Sequence, residues 1–152
     1  MKKITYAALL LLAAITYLPS CIKTRTDRTI DVSMTATIDS VSFNSNYVIP
    51  SISKGQVADT ATVLSISSVD SVTGDKIVIS VNRYKGTTGS YSIADSMASA
   101  VYIKNNVTMV ATSGYVAIKD VGVNLIVGDF NFNVPGHVIK LGNYTVGKPW
   151  AY

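Results

Sequence analysis

The chain contains few of the residues that form metal sites and covalent active sites. It has one cysteine and one histidine among 152 residues, which are too few ligands for a zinc site built from these residue types. The cysteine is Cys21, so the chain that follows it has no disulfide and no thiol nucleophile. We expect neither a metal ion nor another cofactor.

Glutamate is missing as well, and all nine acidic residues are aspartates. Glutamate favours helix interiors, whereas aspartate, asparagine, serine and threonine favour turns and helix caps. After residue 21 no segment has the apolar spacing of about 3.6 residues that marks an amphipathic helix, and alternation with a period of two recurs instead. In "TIDVSMTATID" the apolar residues occupy alternate positions from Ile30 to Ile38. The sequence therefore predicts an all-β domain.

Further alternating segments follow to the end of the chain, separated by turn residues such as "DSVTGD". Near the end of the chain, the alternating apolar positions change from odd numbers (Ile139 and Leu141) to even numbers (Tyr144 and Val146). Gly142 lies at this change, which predicts a β-bulge there. About eight to ten short strands with turns at these intervals predict an antiparallel β-sandwich or a barrel-like sandwich. The other expected core positions include Met34, Ala36, Phe43, Leu64, Ile66, Ile77, Ile79, Val81, Val116, Ile118, Ile126, Phe130, Phe132 and Val134.

Long apolar runs are also scarce, and the one strong run extends from Ile4 to Leu18. It is shorter than the roughly 20 apolar residues that a membrane-spanning helix needs. Two lysines precede it, which is the layout of a cleaved export signal. The residues that close the run, "LPSC", resemble the lipobox of bacterial lipoprotein signals at Leu18, Ser20 and Cys21.

This resemblance implies that the signal is cut between Ser20 and Cys21 and that Cys21 carries the lipid. A lipid membrane is then a direct partner, because two or three acyl chains hold a protein there stably. The expected parts of the chain are a signal peptide (1–20), a lipidated tether (21–29), a single all-β domain (30–148) and a C-terminal aromatic tail (149–152).

The residues next to Cys21 indicate the membrane and its face. Ile22 stands where the sorting rule of enteric lipoproteins places aspartate for inner-membrane retention, so the resemblance implies the outer membrane. Some lipoproteins carry an acidic cluster after the cysteine that directs them to the cell surface, whereas "CIKTRTDR" is basic. We therefore expect the periplasmic face rather than the cell surface.

The net charge gives little support for a nucleic acid partner. When Lys2 and Lys3 leave with the signal, 11 of the 13 basic residues remain against nine acidic ones. The basic residues are scattered, whereas nucleic acid binding needs them clustered on one face.

Several short motifs together resemble a family of uncharacterised Gram-negative bacterial lipoproteins, a domain of unknown function. The order is a lipobox, a tether, a strand-turn-strand element, a G-x-Y element and three further strands with glycine near the start. The resemblance covers about residues 31–146 and implies lipidation and an all-β fold, with no active site. The corresponding segments are residues 36–43, 89–91, 113–118, 128–132 and 142–146.

Two groups of residues could carry chemistry and are better explained as turns. His137 follows a Pro-Gly turn, and the chain has no G-x-S-x-G element to supply a matching nucleophile. Asp70 and Asp75 in "DSVTGD" could contribute oxygen ligands to calcium, but their spacing lacks the ligand alternation of an EF-hand loop. We predict a surface histidine and a hairpin turn.

Two other groups point to surface recognition or modification. Tyrosine outnumbers phenylalanine, and Trp150 and Tyr152 after the last strand are candidates for ligand contact, although strands also favour tyrosine. Four Asp-Ser/Thr-apolar sequences resemble the acceptor of periplasmic O-glycosylation in some Gram-negative bacteria. The candidate O-glycosylation sites are Ser40, Thr60, Ser71 and Ser96.

Three functional hypotheses follow. The first is a non-catalytic binding or structural module of the cell envelope, with a glycan or an envelope protein as partner. The second is a glycan-active enzyme, which would need two aspartates on one concave face, one of them with a raised pKa. The third is a lipocalin-like carrier, which would need a closed barrel around an open apolar cavity. The missing nucleophile and metal ligands favour the first hypothesis, so we expect no enzymatic activity.

Overall fold

A computed structural model describes residues 31–54 and 62–149. All the regular elements in these two ranges are β-strands, and they contain no helix with the length and apolarity needed to cross a membrane. Along the chain the strands are β1 (Ser33–Ile38), β2 (Val41–Ser45), β3 (Val48–Lys54), β4 (Thr62–Val69), β5 (Lys76–Val81), β6 (Gly89–Ser92), β7 (Ala98–Lys104), β8 (Val107–Val110), β9 (Ser113–Val121), β10 (Leu125–Val134) and β11 (His137–Gly147).

The strands form two antiparallel sheets that pack face to face as a β-sandwich, as the sequence predicts. The first sheet has the order β2-β1-β11-β10-β9-β6, and the second has the order β3-β4-β5-β7-β8. The core between them is filled by side chains at alternate strand positions. The largest fully buried ones include Met34, Phe43, Leu64, Ile79, Tyr102, Phe130, Phe132 and Tyr144.

The described residues form eleven strands, against the expected eight to ten, because two edge strands escape the pattern. β3 contains Pro50, and proline is tolerated in a sheet mainly at an edge, where its missing N–H is not needed. β6 has only four residues, too few for alternation to be visible. The sequence signal is therefore weakest at the edges of the sheets.

The predicted β-bulge at Gly142 is confirmed. The pairing of β11 with both β1 and β10 shifts by one residue between Ile139 and Asn143. Leu141 has a positive φ of 51° in the bulge and is 76% exposed. The bulge therefore turns Leu141 away from the core, although it lies two residues after the buried Ile139. An alanine at Gly142 would place its Cβ 2.4 Å from the Phe130 ring, so the bulge also needs a residue without a side chain there.

The two ends of the sandwich differ in what they carry. At one end of the second sheet, which we name the entry end, the β5–β6 and β6–β7 loops meet. At the opposite end, which we name the far end, Asp39 begins the β1–β2 turn beside the β4–β5 turn. The β4–β5, β7–β8 and β10–β11 turns lie at the far end as well. Described residues line a groove at each of these ends.

Candidate functional site

The groove at the far end brings together three carboxylates from distant parts of the sequence. Asp39 comes from the β1–β2 turn, and Asp70 and Asp75 come from the β4–β5 turn. The groove has a volume of about 260 Å³, just below the range of about 300–1,000 Å³ that is usual for ligand pockets. Its apolar wall is formed by Ile38, Val41 and Phe43.

The Asp70 carboxylate is committed to holding the turn. One oxygen accepts the N–H groups of Val72 and Thr73, and the other accepts the N–H of Asn44, each at 2.8 Å. Asp70 is 4% exposed. Burial raises the pKa of this carboxyl, but the backbone hydrogen bonds outweigh burial, and the net effect is a lowered pKa. The interpretation of "DSVTGD" as a turn agrees with this geometry.

A chain of side-chain contacts crosses from one sheet to the other at this end. The Tyr102 hydroxyl in β7 donates to Asp75 at 2.5 Å, and its ring meets the His137 ring edge to face at 5.5 Å. Burial and then Asp75 raise the pKa of Tyr102. His137 Nδ1 pairs with Asp39, which also accepts the Val138 N–H at 2.9 Å. The backbone hydrogen bond and then His137 lower the pKa of Asp39.

These contacts bear on the hypothesis of a glycan-active enzyme. The three aspartates do share a concave surface, which no local sequence pattern could have indicated. A general acid, however, needs a raised pKa, and the pKa values of Asp39 and Asp70 are both lowered. His137 pairs with Asp39, and within the described ranges no serine or threonine hydroxyl is hydrogen-bonded to it. Nor do these ranges hold a group of three His, Cys, Asp or Glu residues placed to bind a metal ion.

The groove at the entry end is larger, with a volume of about 770 Å³, which is within the usual range of ligand pockets. Its walls come from the β5–β6 loop, the edge strand β6 and the β6–β7 loop. Asn82 ties the two loops together, because its side-chain amide donates to the Ser96 carbonyl and its N–H donates to the Met97 carbonyl, each at 2.9 Å. The lining residues that carry its chemistry are Asn82, Arg83, Lys85, Tyr91, Asp95 and Met97.

The entry groove offers cations, an aromatic ring and exposed apolar surface together. Arg83 and Lys85 are exposed and form no ion pair with any residue that the structure describes. Asp95 is the one acidic residue among the described lining residues. Tyr91 is half-buried and faces inward from β6, and Met97 is 48% exposed. This combination suits a ligand with a negative charge and a flat, partly apolar surface.

Tyr84 lies between Arg83 and Lys85 in the sequence and points into the protein instead of the solvent. It is 7% exposed, and its hydroxyl has no hydrogen-bond partner among the described residues. Burial, and then the neighbouring Tyr91, raise its pKa. Buried hydroxyls are nearly always hydrogen-bonded in proteins, so the Tyr84 hydroxyl is an exception within the described core.

The sequence-predicted sites are partly covered by the structure. Ser40, Ser71 and Ser96 are exposed in turns, and Ser40 and Ser96 have positive φ values of 75° and 58°. Thr60, Ser20, Cys21, Trp150 and Tyr152 lie outside the described residues. Sequence reasoning missed the entry groove, because Arg83, Lys85 and Tyr91 belong to a loop and a short edge strand without periodicity.

Comparison of the chain with protein-family models, with curated proteins and with solved structures yields no match. The resemblance to the lipoprotein family and the assignment of the lipobox therefore stay predictions. The candidate site is defined by the chemistry of its own residues.

Proposed function

We propose that this chain is an outer-membrane lipoprotein, anchored on the periplasmic face through an acylated Cys21, whose β-sandwich is a non-catalytic binding module. The "LPSC" sequence after a short apolar run supports the anchor, and the chain's single cysteine has no partner for a disulfide. The proposed partners are a glycan or an envelope protein, and no nucleic acid.

The observation that carries the binding function is the entry groove. It has the size of a ligand pocket and combines the exposed cations Arg83 and Lys85 with the Tyr91 ring and the exposed Met97 side chain. The far groove is smaller, and its carboxylates at Asp39 and Asp70 hold turns together. The filled core gives the carrier hypothesis no support.

Fractionation of cells tests the anchor. Replacement of Cys21 by alanine removes the acceptor of the lipid, and we expect this variant to leave the membrane fraction. The matched control is Ser20→Ala, because alanine also satisfies the lipobox at that position, and this variant should stay with the membrane. Retention of Cys21→Ala in membranes would overturn the proposed anchor.

Protease treatment of intact cells tests the membrane face. We expect the sandwich to be protected until the outer membrane is permeabilised, because it lies in the periplasm. Digestion on intact cells would contradict the periplasmic face and place the domain outside the cell. The lipid anchor is tested separately by the fractionation of the Cys21→Ala variant.

A further inference from the structure

We propose that the free edge of β8 pairs with the same strand of a second copy of this chain, so that two copies form a dimer through one continuous sheet. This inference goes beyond the proposed binding function and does not involve either groove. Three observations carry it: the open backbone edge of β8, its apolar and uncharged sequence, and a register in which the strand fits its own copy.

The hairpin of β7 and β8 fixes which backbone groups of β8 face outward. Its two turn residues, Asn105 and Asn106, have φ values of 49° and 64°, the conformation of a type I′ turn. In such a hairpin the residues next to the turn are hydrogen-bonded to each other, and alternate residues face the partner strand. The N–H of Ala111 donates to the Ala100 carbonyl, so the odd-numbered positions of β8 face β7.

The even-numbered residues of β8, Thr108 and Val110, therefore direct their N–H and C=O groups away from β7. β8 ends the five-stranded sheet, and no described residue bonds to these groups. An edge with free donors and acceptors is a template for another strand.

Each of the other three sheet edges carries a feature that hinders the addition of a strand. In β2, the outward N–H of Asn44 donates to Asp70. β3 contains Pro50, which has no N–H to donate. In β6, the Ser92 carbonyl accepts the Met97 N–H from the loop that follows. Among the four edges of the described strands, only β8 lacks such a feature.

The side chains of β8 favour a second copy as its partner. Val107 and Val110 are 60% and 59% exposed, and Met109 is only partly buried against the core. The segment 105–113, "NNVTMVATS", contains no charged residue. A two-fold contact brings residues close to their own copies, so a charge there would face a like charge. The uncharged sequence removes this obstacle to pairing with itself.

One antiparallel register fits the strand to its own copy. Met109 lies opposite Met109 of the second copy on the two-fold axis, and Thr108 lies opposite Val110, where their outward N–H and C=O groups form hydrogen bonds. A register centred on Thr108 would instead place Val110 opposite Asn106, which the turn holds at a positive φ. The register centred on Met109 therefore pairs the whole of β8.

The size of the contact predicts a transient dimer. The pairing covers Val107 with Ala111 of the second copy and brings the two Met109 side chains together. Each copy contributes one strand of four residues, so the contact belongs to the small interfaces, below about 1,200 Å², that form short-lived complexes. Confinement of both copies to one membrane surface through the proposed anchor raises their effective concentration and favours the dimer.

Disulfide cross-linking in membranes from cells that produce the full chain tests the dimer and its register. In Met109→Cys the two new thiols meet on the two-fold axis, in a pair whose Cα atoms lie about 4.5 Å apart, which is within the range of disulfides. We expect oxidation with copper phenanthroline to convert most of this variant to a covalent dimer. If Met109→Cys does not fold, the double substitution Thr108→Cys and Val110→Cys places thiols opposite each other on the exposed face.

The matched control is Val107→Cys, on the same strand and the same face. Random collision would favour a cross-link at this position, because Val107 is more exposed than Met109. In the proposed register, however, Val107 and its own copy are four residues apart along the strand, about 13 Å, which is too far for a disulfide. This variant should stay monomeric.

A charge on the edge gives a second test. Val110→Lys, added to Met109→Cys, should lower the cross-linked fraction severalfold, because an edge lysine hinders the addition of a strand. Val72→Lys is the matched change in the β4–β5 turn, where Val72 is 91% exposed, and it should leave the fraction unchanged.

The outcomes separate this inference from the proposed anchor. Equal cross-linking of Met109→Cys and Val107→Cys, no dimer from the folded cysteine variants, or an undiminished dimer with Val110→Lys would overturn the pairing. A disulfide dimer of the wild type would contradict the anchor, because it requires a free thiol at Cys21. The same variants, made with Cys21→Ala and concentrated in solution, then decide the pairing by the same criteria.

Discussion

Three buried tyrosines show how much one hydroxyl depends on its surroundings. Tyr102 donates to Asp75, Tyr144 donates to the Ala117 carbonyl at 2.9 Å, and Tyr84 has no partner among the described residues. Removal of a buried hydroxyl that forms a hydrogen bond lowers stability, because the bond is lost and its partner is left unsatisfied. Removal of a buried hydroxyl that has no partner breaks no hydrogen bond. The same substitution should therefore have different effects at these positions.

Replacement of Tyr144 by phenylalanine should lower the free energy of unfolding by about 1 kcal/mol, because it removes the hydrogen bond to Ala117. The matched change Tyr84→Phe should leave stability unchanged or raise it. Urea denaturation measures both. Equal losses in the two variants would mean that the Tyr84 hydroxyl has a partner in the folded protein.

Asp70 makes stability depend on pH. Its pKa is lowered in the folded protein, so its contribution is present above the unfolded-state pKa of about 3.9 and is lost as pH falls through the folded value. Asp70→Asn should lower the free energy of unfolding by about 1–3 kcal/mol at pH 7, because the NH₂ that replaces one carboxylate oxygen cannot accept a hydrogen bond, so one of the two sets of backbone N–H groups loses its acceptor. The difference in the free energy of unfolding between wild type and Asp70→Asn should be smaller at pH 3 than at pH 7.

The control for this prediction is Asp120→Asn, because Asp120 is exposed and its side chain forms no hydrogen bond or ion pair with any other described residue. Its stability should follow that of the wild type at both pH values. A constant difference between wild type and Asp70→Asn from pH 7 to pH 3 would contradict the assigned role of the carboxylate.

At the scale of the elements, the core strands and the β4–β5 turn were predictable from the sequence, whereas the edge strands β3 and β6 were not. Alternation reveals inward positions wherever a strand has neighbours on both sides, as in β5 and β10. The edge strand β3 with Pro50 and the short β6 lack this signal. The meeting of Asp39 with His137 depends on two turns that are 98 residues apart, and no local pattern carries that information.

The close packing of Gly142 in the β11 bulge can be tested by substitution. Gly142→Ala should lower the free energy of unfolding by about 1–3 kcal/mol or more, since the new Cβ meets the buried Phe130 ring at 2.4 Å. Gly147→Ala in the same strand has no neighbour within 4 Å and should be nearly neutral. Equal unfolding midpoints for the two variants in guanidinium chloride would contradict the close packing at the bulge.

At the scale of the whole molecule, the two grooves are built by different turns of the sandwich. The far groove is lined by the β1–β2 and β4–β5 turns, and the entry groove is lined by the β5–β6 and β6–β7 loops. If Cys21 is the lipid anchor as proposed, the nine residues of the tether (21–29) span at most about 30 Å when fully extended. That length sets an upper limit on the distance between the membrane surface and the start of the all-β domain.

The central claim is that the mature chain begins at a lipidated Cys21, and intact-mass spectrometry of the protein purified from membranes tests it most directly. The account predicts a chain that has lost residues 1–20 and carries the added mass of two or three acyl chains on Cys21. An unmodified Cys21, or a chain that keeps its first 20 residues, would contradict it.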